Sequence, residues 1–260
     1  MTRTAPPHRT PPHRTPPRTP PHLPAVVLRP LRAANPFEST VERLAAAIRL
    51  GVYDSGEQLP PERELAVQLG VSRINLREAI AALREAKLVE TRRGRGGGTV
   101  VTYEGHIADG PTDPDRLLER GPQLRDALDF RSVVEPGAAY LAANRDLSAD
   151  ERRWLTDSER AVRQGYQSSP AAHRVADSRL HLGIAALSGS PMLIDAVTRV
   201  RAALDEMLAC IPVLPRNIEH SHTQHAAIVT AILTGDAETA RDVMHEHCQA
   251  TSALVRGLLG

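Results

Sequence analysis

The stretch LPPERELAVQLGVSRINLREAIAALREAKLVETRRGRGGG, residues 59–98, constrains this chain most. Pro60 and Pro61 open a helix, and Glu62 and Glu64 suit its positive N-terminal end. Leu65, Ala66 and Leu69 give that helix a buried face, and Gly70 supplies a turn. Ser72 is placed to cap a second helix, in which Leu76, Ala79, Ile80 and Leu83 form the inward stripe. Arg73, Asn75 and Arg77 fall off that stripe and face outward. Leu88–Arg92 and Thr99–Thr102 have strand character, joined by Arg93-Gly94-Arg95-Gly96-Gly97-Gly98. Helix, turn, helix and basic glycine-tipped hairpin make a winged helix-turn-helix. Such a module sets one helix in the DNA major groove and brings the hairpin to phosphates or the minor groove. A nucleotide phosphate loop would need a Walker lysine and a following helix, and both are missing.

At 260 residues the chain suits two domains. It is 41% hydrophobic but only 3% aromatic, which favours a core of Ala, Leu, Val and Ile on helices. The net charge of +1 hides an asymmetry. Residues 1–104 carry 16 Arg/Lys against 10 Asp/Glu, and residues 105–260 carry 16 against 21. A basic front and an acidic back are what is expected if only the front meets a polyanion. Residues 1–34 repeat PPHRT and predict an extended, disordered tail. The winged helix is predicted over 36–103, a linker over 104–121 and a helical domain over 122–258. Within that domain the breaks predict helices near 123–144, 148–165, 172–188, 191–210, 216–234 and 236–258. Ser148 with Glu151 reads as a capping box. The expected fold is mainly α: a winged helix-turn-helix with a small β wing, then an antiparallel bundle of six to seven helices. Cys210 and Cys248 are expected as buried free thiols. No apolar run reaches the length of a membrane span and no signal core is present, so a cytoplasmic protein is expected.

The second domain holds most of the histidines outside the tail. Asp177 and His181 lie four apart, on one face of a helix. His225 and His247 fall in the last two helices. One carboxylate with imidazoles suits a divalent first-row ion inside a bundle, although helical histidines also simply face water. His245 is expected to be solvated, His220 and His222 to line the edge of the site, and His173, one turn before Asp177, to be exposed rather than at the pocket mouth. Arg131 shares an apolar stripe with Leu124, Leu128, Val134, Ala138 and Leu141. A buried arginine needs an anion, either a ligand carboxylate or a structural partner such as Glu135 one turn on.

The front resembles the winged-helix domain of the GntR family of bacterial transcription regulators, through LPPERELAVQLGVSR, LREAIAALREAKLVE and GRGGGTVV. The back resembles the helical ligand domain (FCD) of its FadR subfamily. The markers are FRSVVEPGAAYLAA, the Asp177/His181 spacing, the run from His225 to Asp236, and Met244/His247. This resemblance implies DNA contacts from Arg63, Ser72, Arg73, Asn75, Arg77, Arg93, Gly94 and Arg95. It implies a divalent metal, zinc first and nickel or manganese as alternatives, on Asp177, His181, His225 and His247. It places Arg131 in an effector pocket. Ile74 departs from the small polar residues common at its position. The expected function is a homodimeric regulator, a repressor, that binds a palindromic double-stranded operator under control of a small organic acid. The alternatives are a direct metal sensor and a regulator whose metal is purely structural. A metallohydrolase is disfavoured because no HExxH and no placed base are present.

Overall fold

The computed structural model describes residues 36–92, 94, 97–104, 121–208 and 215–259. The predicted tail, residues 105–120 of the predicted linker, Arg93, Arg95 and Cys210 lie outside the described residues. Helices α1 (Pro36–Arg49), α2 (Glu62–Leu69) and α3 (Arg73–Glu85) precede strands β1 (Val89–Arg92) and β2 (Gly98–Val101). Then follow α4 (Gly121–Ala143), α5 (Ala149–Ser168), α6 (Pro170–Leu187), α7 (Pro191–Leu208), α8 (Pro215–Thr234) and α9 (Ala237–Leu259). The mainly helical class is as expected, with a two-stranded wing and six helices behind it among the described residues.

Local chemistry sets the boundaries. Gly70, at φ 67°, ends α2 in the left-handed conformation, and its N–H bonds back to the last turn. The Ser72 Oγ accepts from the Asn75 N–H at 3.1 Å and starts α3. Ser148 and Glu151 form the predicted capping box, with bonds of 2.8 and 3.2 Å. Such caps are worth about 1 kcal/mol each. In the wing, Val89 pairs Val101 and Arg92 pairs Gly98 in antiparallel register. Gln58 bridges to Val100 on the other side and donates from Nε2 to the Gly97 carbonyl at 3.1 Å.

Pro136 sits inside α4 and has no N–H for the carbonyl of Ser132 one turn back. His245 Nδ1 lies 3.3 Å from that oxygen, so its N–H can take the missing role. His245 is exposed as expected, but it is tied to the backbone of α4. One member of the predicted α4 stripe is corrected. Leu141 is 40% exposed, and Ala142 is buried in its place. The buried face steps by four from Arg131 to Glu135, Ala138–Ala139 and Ala142, and its alanines let α9 lie close.

The core has two apolar clusters. One runs from Leu44, Leu65 and Leu76 of the winged helix into Leu128, Val197 and Leu204 of the bundle. The other fills the far end of the bundle around Leu155, Leu180, Ile228 and Met244. Gly183 allows α5 and α6 to touch: an added Cβ would stand 1.6 Å from the Trp154 ring. The winged helix meets α6 and α7 through specific contacts. Gly51, at φ +69°, packs against Val175 with no room for a Cβ. Arg179 Nη1 donates to both oxygens of Asp54 at 2.7 and 2.9 Å. Arg43 stands 3.6 Å from Asp195.

Candidate metal centre and nucleic-acid interface

Five bundle helices bring charged groups to one buried point. Asp177 and His181 come from α6, His225 from α8, His247 from α9, Arg131 and Glu135 from α4, and Arg201 from α7. Arg131, Glu135, His181, Arg201, His225 and His247 are each at most 4% exposed. His225 Nε2 lies 3.3 Å from Asp177 Oδ1 and 3.3 Å from His181 Nε2. One ligand atom from each of Asp177, His181, His225 and His247 can be chosen so that all lie within 4.8 Å of one another. Metal–ligand bonds of about 2.1 Å would hold such atoms about 3–4 Å apart, so small side-chain adjustments suffice. The donor set therefore fits a divalent first-row ion, and the four sequence-predicted ligands converge.

Neighbouring groups already orient these ligands. Asp177 Oδ2 accepts a short hydrogen bond from Arg201, which leaves Oδ1 facing the imidazoles. His247 Nδ1 lies 3.2 Å from Gln224 Oε1, so this nitrogen carries the proton and Nε2 is left for a metal. His181 Nδ1 stands 2.9 Å from Glu135 Oε2 outside hydrogen-bond geometry, and its Nε2 faces His225 Nε2 at 3.3 Å on the side of the other ligands.

Charge states match ligation. Burial opposes ionisation of Asp177, but Arg201 foremost and then His181 hold its carboxyl well below the usual range. Glu135 is likewise held low against burial, first by Arg131 and then by His181. Burial pushes His225 down to about 3, against the upward pull of Asp177, and burial with His225 pushes His247 well down. An ionised carboxylate beside neutral imidazoles is what a metal needs. Burial pushes the Cys248 thiol up to about 12, so it stays protonated, and it is buried as expected.

Arg131 donates to Glu135 Oε2 at 3.0 Å, so the structural pairing weighed from sequence is present. Its Nη1 and the Nε of Arg201 are buried donors with no partner among the described residues. Sequence reasoning missed Arg201 and Gln224. Arg201 had a signal: it shares the stripe of Ile194, Val197 and Leu204 on α7, as Arg131 does on α4. His173, expected to be exposed, is corrected: it is 6% exposed, covered by Tyr166 and His222. His222 is buried and His220 exposed.

On the winged helix, Arg63, Ser72, Arg73 and Arg77 are exposed and Asn75 is half-buried. Arg77 reaches back to Glu62, Nε to Oε2 at 2.7 Å. Ile74 is 70% exposed at the start of α3. Gly94 takes φ +105° at the wing tip.

Two family models match. Residues 36–101 match the bacterial regulatory proteins of the gntR family, and residues 126–250 match the FCD domain. The chain is 32% identical over 234 residues to a putative HTH-type transcriptional regulator RmpR of Mycobacterium gastri, covering 88% of this chain and 83% of that protein. It is 31% identical over 229 residues to a putative L-lactate dehydrogenase operon regulatory protein of Escherichia coli K12, covering 81% and 82%. It is 28% identical over 242 residues to the HTH-type transcriptional repressor NanR of Klebsiella aerogenes, covering 88% and 89%. The solved structure of E. coli McbR/YncC aligns with TM-score 0.52 at 17% identity, over 88% of this chain and all of that one, a likeness of fold. No helix among the described residues is long and apolar enough to cross a membrane. With a winged helix in front and an FCD bundle behind, the chain belongs to the GntR family: it is a DNA-binding transcription regulator, not an enzyme.

Proposed function

We propose that this regulator is a homodimeric repressor whose helical domain binds a small organic acid at a metal held by Asp177, His181, His225 and His247. The observation that carries this reading is the pairing of that ligand set with two buried arginines, each keeping an unpartnered N–H. With a divalent ion present, the two arginines and the ion outweigh Asp177 and Glu135, and the site attracts an anion. The metal would supply a Lewis-acidic anchor for a carboxylate, and Arg131 and Arg201 would hold the same group. Zinc suits the nitrogen-rich set, and nickel or manganese would fit as well. A relative named for an L-lactate dehydrogenase operon supports a hydroxy-acid signal, and one named as a repressor supports the sign.

Arg63, Arg73, Asn75 and Arg77 would face DNA with Ser72 capping the recognition helix, and Arg93, Gly94 and Arg95 would reach it from the wing. A dimer would present two such surfaces to a palindromic operator. Its contact would form on α4, where Phe130, Val133 and Leu141 are 46%, 70% and 40% exposed on one stripe. The stripe passes Gly137, whose missing side chain leaves open space.

The test is DNA binding by fluorescence anisotropy, on a duplex selected by the protein from a random pool, with metal and with metal plus L-lactate or acetate. The expected result is that an acid weakens DNA binding of the metal-loaded protein and not of Asp177→Ala. DNA affinity that tracks metal alone would make the protein a metal sensor. Unfolding on chelation with no response to any acid would make the metal structural. Loss of selective binding in Arg73→Ala, about 1–3 kcal/mol, would support the docking.

A further inference from the structure

The metal cluster has a second tier. His173 precedes Asp177 by four residues on α6, and His222 precedes His225 by three on α8. Both therefore lie one turn earlier on the faces that carry the ligands. Their ring centroids are 5.3 Å apart, and Tyr166 from α5 stands edge-on to them at 5.7 and 5.8 Å. Both histidines are more than nine-tenths buried.

The tier is polar where packing alone would favour apolar rings. His173 Nδ1 lies 3.2 Å from the Val162 carbonyl. Only an N–H can satisfy that oxygen, so Nδ1 carries the proton and Nε2 presents a lone pair. His222 Nε2 is buried without a partner among the described residues. A buried polar atom left unpaired is costly, which points to a group that comes from outside the chain. Burial foremost, then His173 and Arg163, push His222 down, so it serves as a neutral hydrogen-bonding group.

We infer that His173, His222 and Tyr166 form a hydroxyl-recognising subsite for the effector, one helical turn from the metal centre. This rests on the reading of that centre as a carboxylate site. A turn rises about 5.4 Å, which matches the reach from a carboxylate to a hydroxyl on the third or fourth carbon of an extended acid. His173 Nε2 accepts from such a hydroxyl, and His222 Nε2 pairs with the same group or its neighbour. An unsubstituted alkyl tail leaves the buried His222 Nε2 unpaired. A site built to hydrogen-bond a hydroxyl rejects the analogue lacking it strongly. The site therefore favours a polyhydroxylated carboxylic acid over an alkyl acid of the same length.

The test compares D-erythronate with butyrate, two four-carbon acids with and without hydroxyls, by calorimetric titration of the zinc-loaded full chain. Wild type is expected to bind erythronate about tenfold or more tighter than butyrate. In His222→Leu and His173→Leu that ratio falls towards one, through weaker erythronate binding, while zinc content stays unchanged. His222→Gln, which keeps a polar group and guards against a mere packing defect, restores part of the ratio. Equal binding of the two acids by wild type overturns the subsite and leaves the carboxylate site standing. So does a ratio preserved in both leucine variants. Binding of neither acid, nor of acetate, by wild type removes both readings together.

Discussion

Arg201 on α7 donates to Oδ2 of Asp177 on α6 and turns the other oxygen, Oδ1, towards His225 at 3.3 Å. One arginine thus decides which lone pairs of the aspartate are offered to a metal. The same logic extends to two of the imidazoles: the Nδ1 atoms of His247 and His181 lie 3.2 Å from Gln224 Oε1 and 2.9 Å from Glu135 Oε2, while that of His225 has no partner among the described residues. At this candidate centre, residues outside the four-ligand set would orient the ligands.

Gln224→Leu removes the acceptor that holds His247. The expected result is a 10–100-fold loss of zinc affinity, of the order seen when outer-shell partners are removed, with the fold retained. Competition against a chromophoric chelator measures it, and unchanged affinity would refute the orienting role. Glu135→Ala should behave differently. It strips buried Arg131 of its partner, and breaking such a pair costs about 3–5 kcal/mol of stability. Urea denaturation separates the two cases.

Acid should destabilise the metal-free protein in two stages. His225 sits at about 3 in the folded chain because of burial, below the ordinary value of about 6.5. The unfolded chain therefore takes up that proton first as pH falls. The contribution is present in full above about 6.5 and is lost between about 6.5 and 3, at up to about 1.4 kcal/mol per pH unit. Asp177 and Glu135, held low, add a further loss below about pH 4 in the same direction. Urea midpoints at pH 7, 6 and 5 should fall, and His225→Asn should flatten that decline. A flat wild-type profile would contradict the burial argument.

On α6, Val175 and Arg179 face the winged helix while Asp177 and His181 face the metal cluster. The Asp54–Arg179 pair is exposed, so Arg179→Ala should change stability by less than about 1 kcal/mol. It should change the ratio of DNA affinities with and without acid, because it loosens one placement of the DNA-binding domain. Anisotropy titrations of wild type and variant check this. An unchanged ratio would remove α6 as the link.

Much of this was legible because it is local. The caps at Ser72 and Ser148, the glycine turn at Gly70 and the four-residue step from Asp177 to His181 are properties of neighbouring residues. Arg201 and Gln224 were not found, because what they touch depends on which helices meet. The slip at Leu141 has a similar cause: three- and four-residue steps from Ala138 are equally helical, and the packing of α4 against the other bundle helices selects Ala142. His173 was placed in solvent because histidine is polar, while Tyr166 and His222, which cover it, come from other helices.

Val133→Glu places a charge in the exposed α4 stripe. If that stripe joins two copies, the variant should sediment as a monomer where wild type is a dimer, with its helical circular dichroism intact. A variant that remains dimeric would move the interface elsewhere.

The most direct measurement is metal content by mass spectrometry of the purified, zinc-equilibrated protein, wild type against Asp177→Ala and His225→Ala. The account predicts one ion per chain in wild type and far less than one in either variant. A wild type that holds no metal, or variants that keep a full complement, would contradict it.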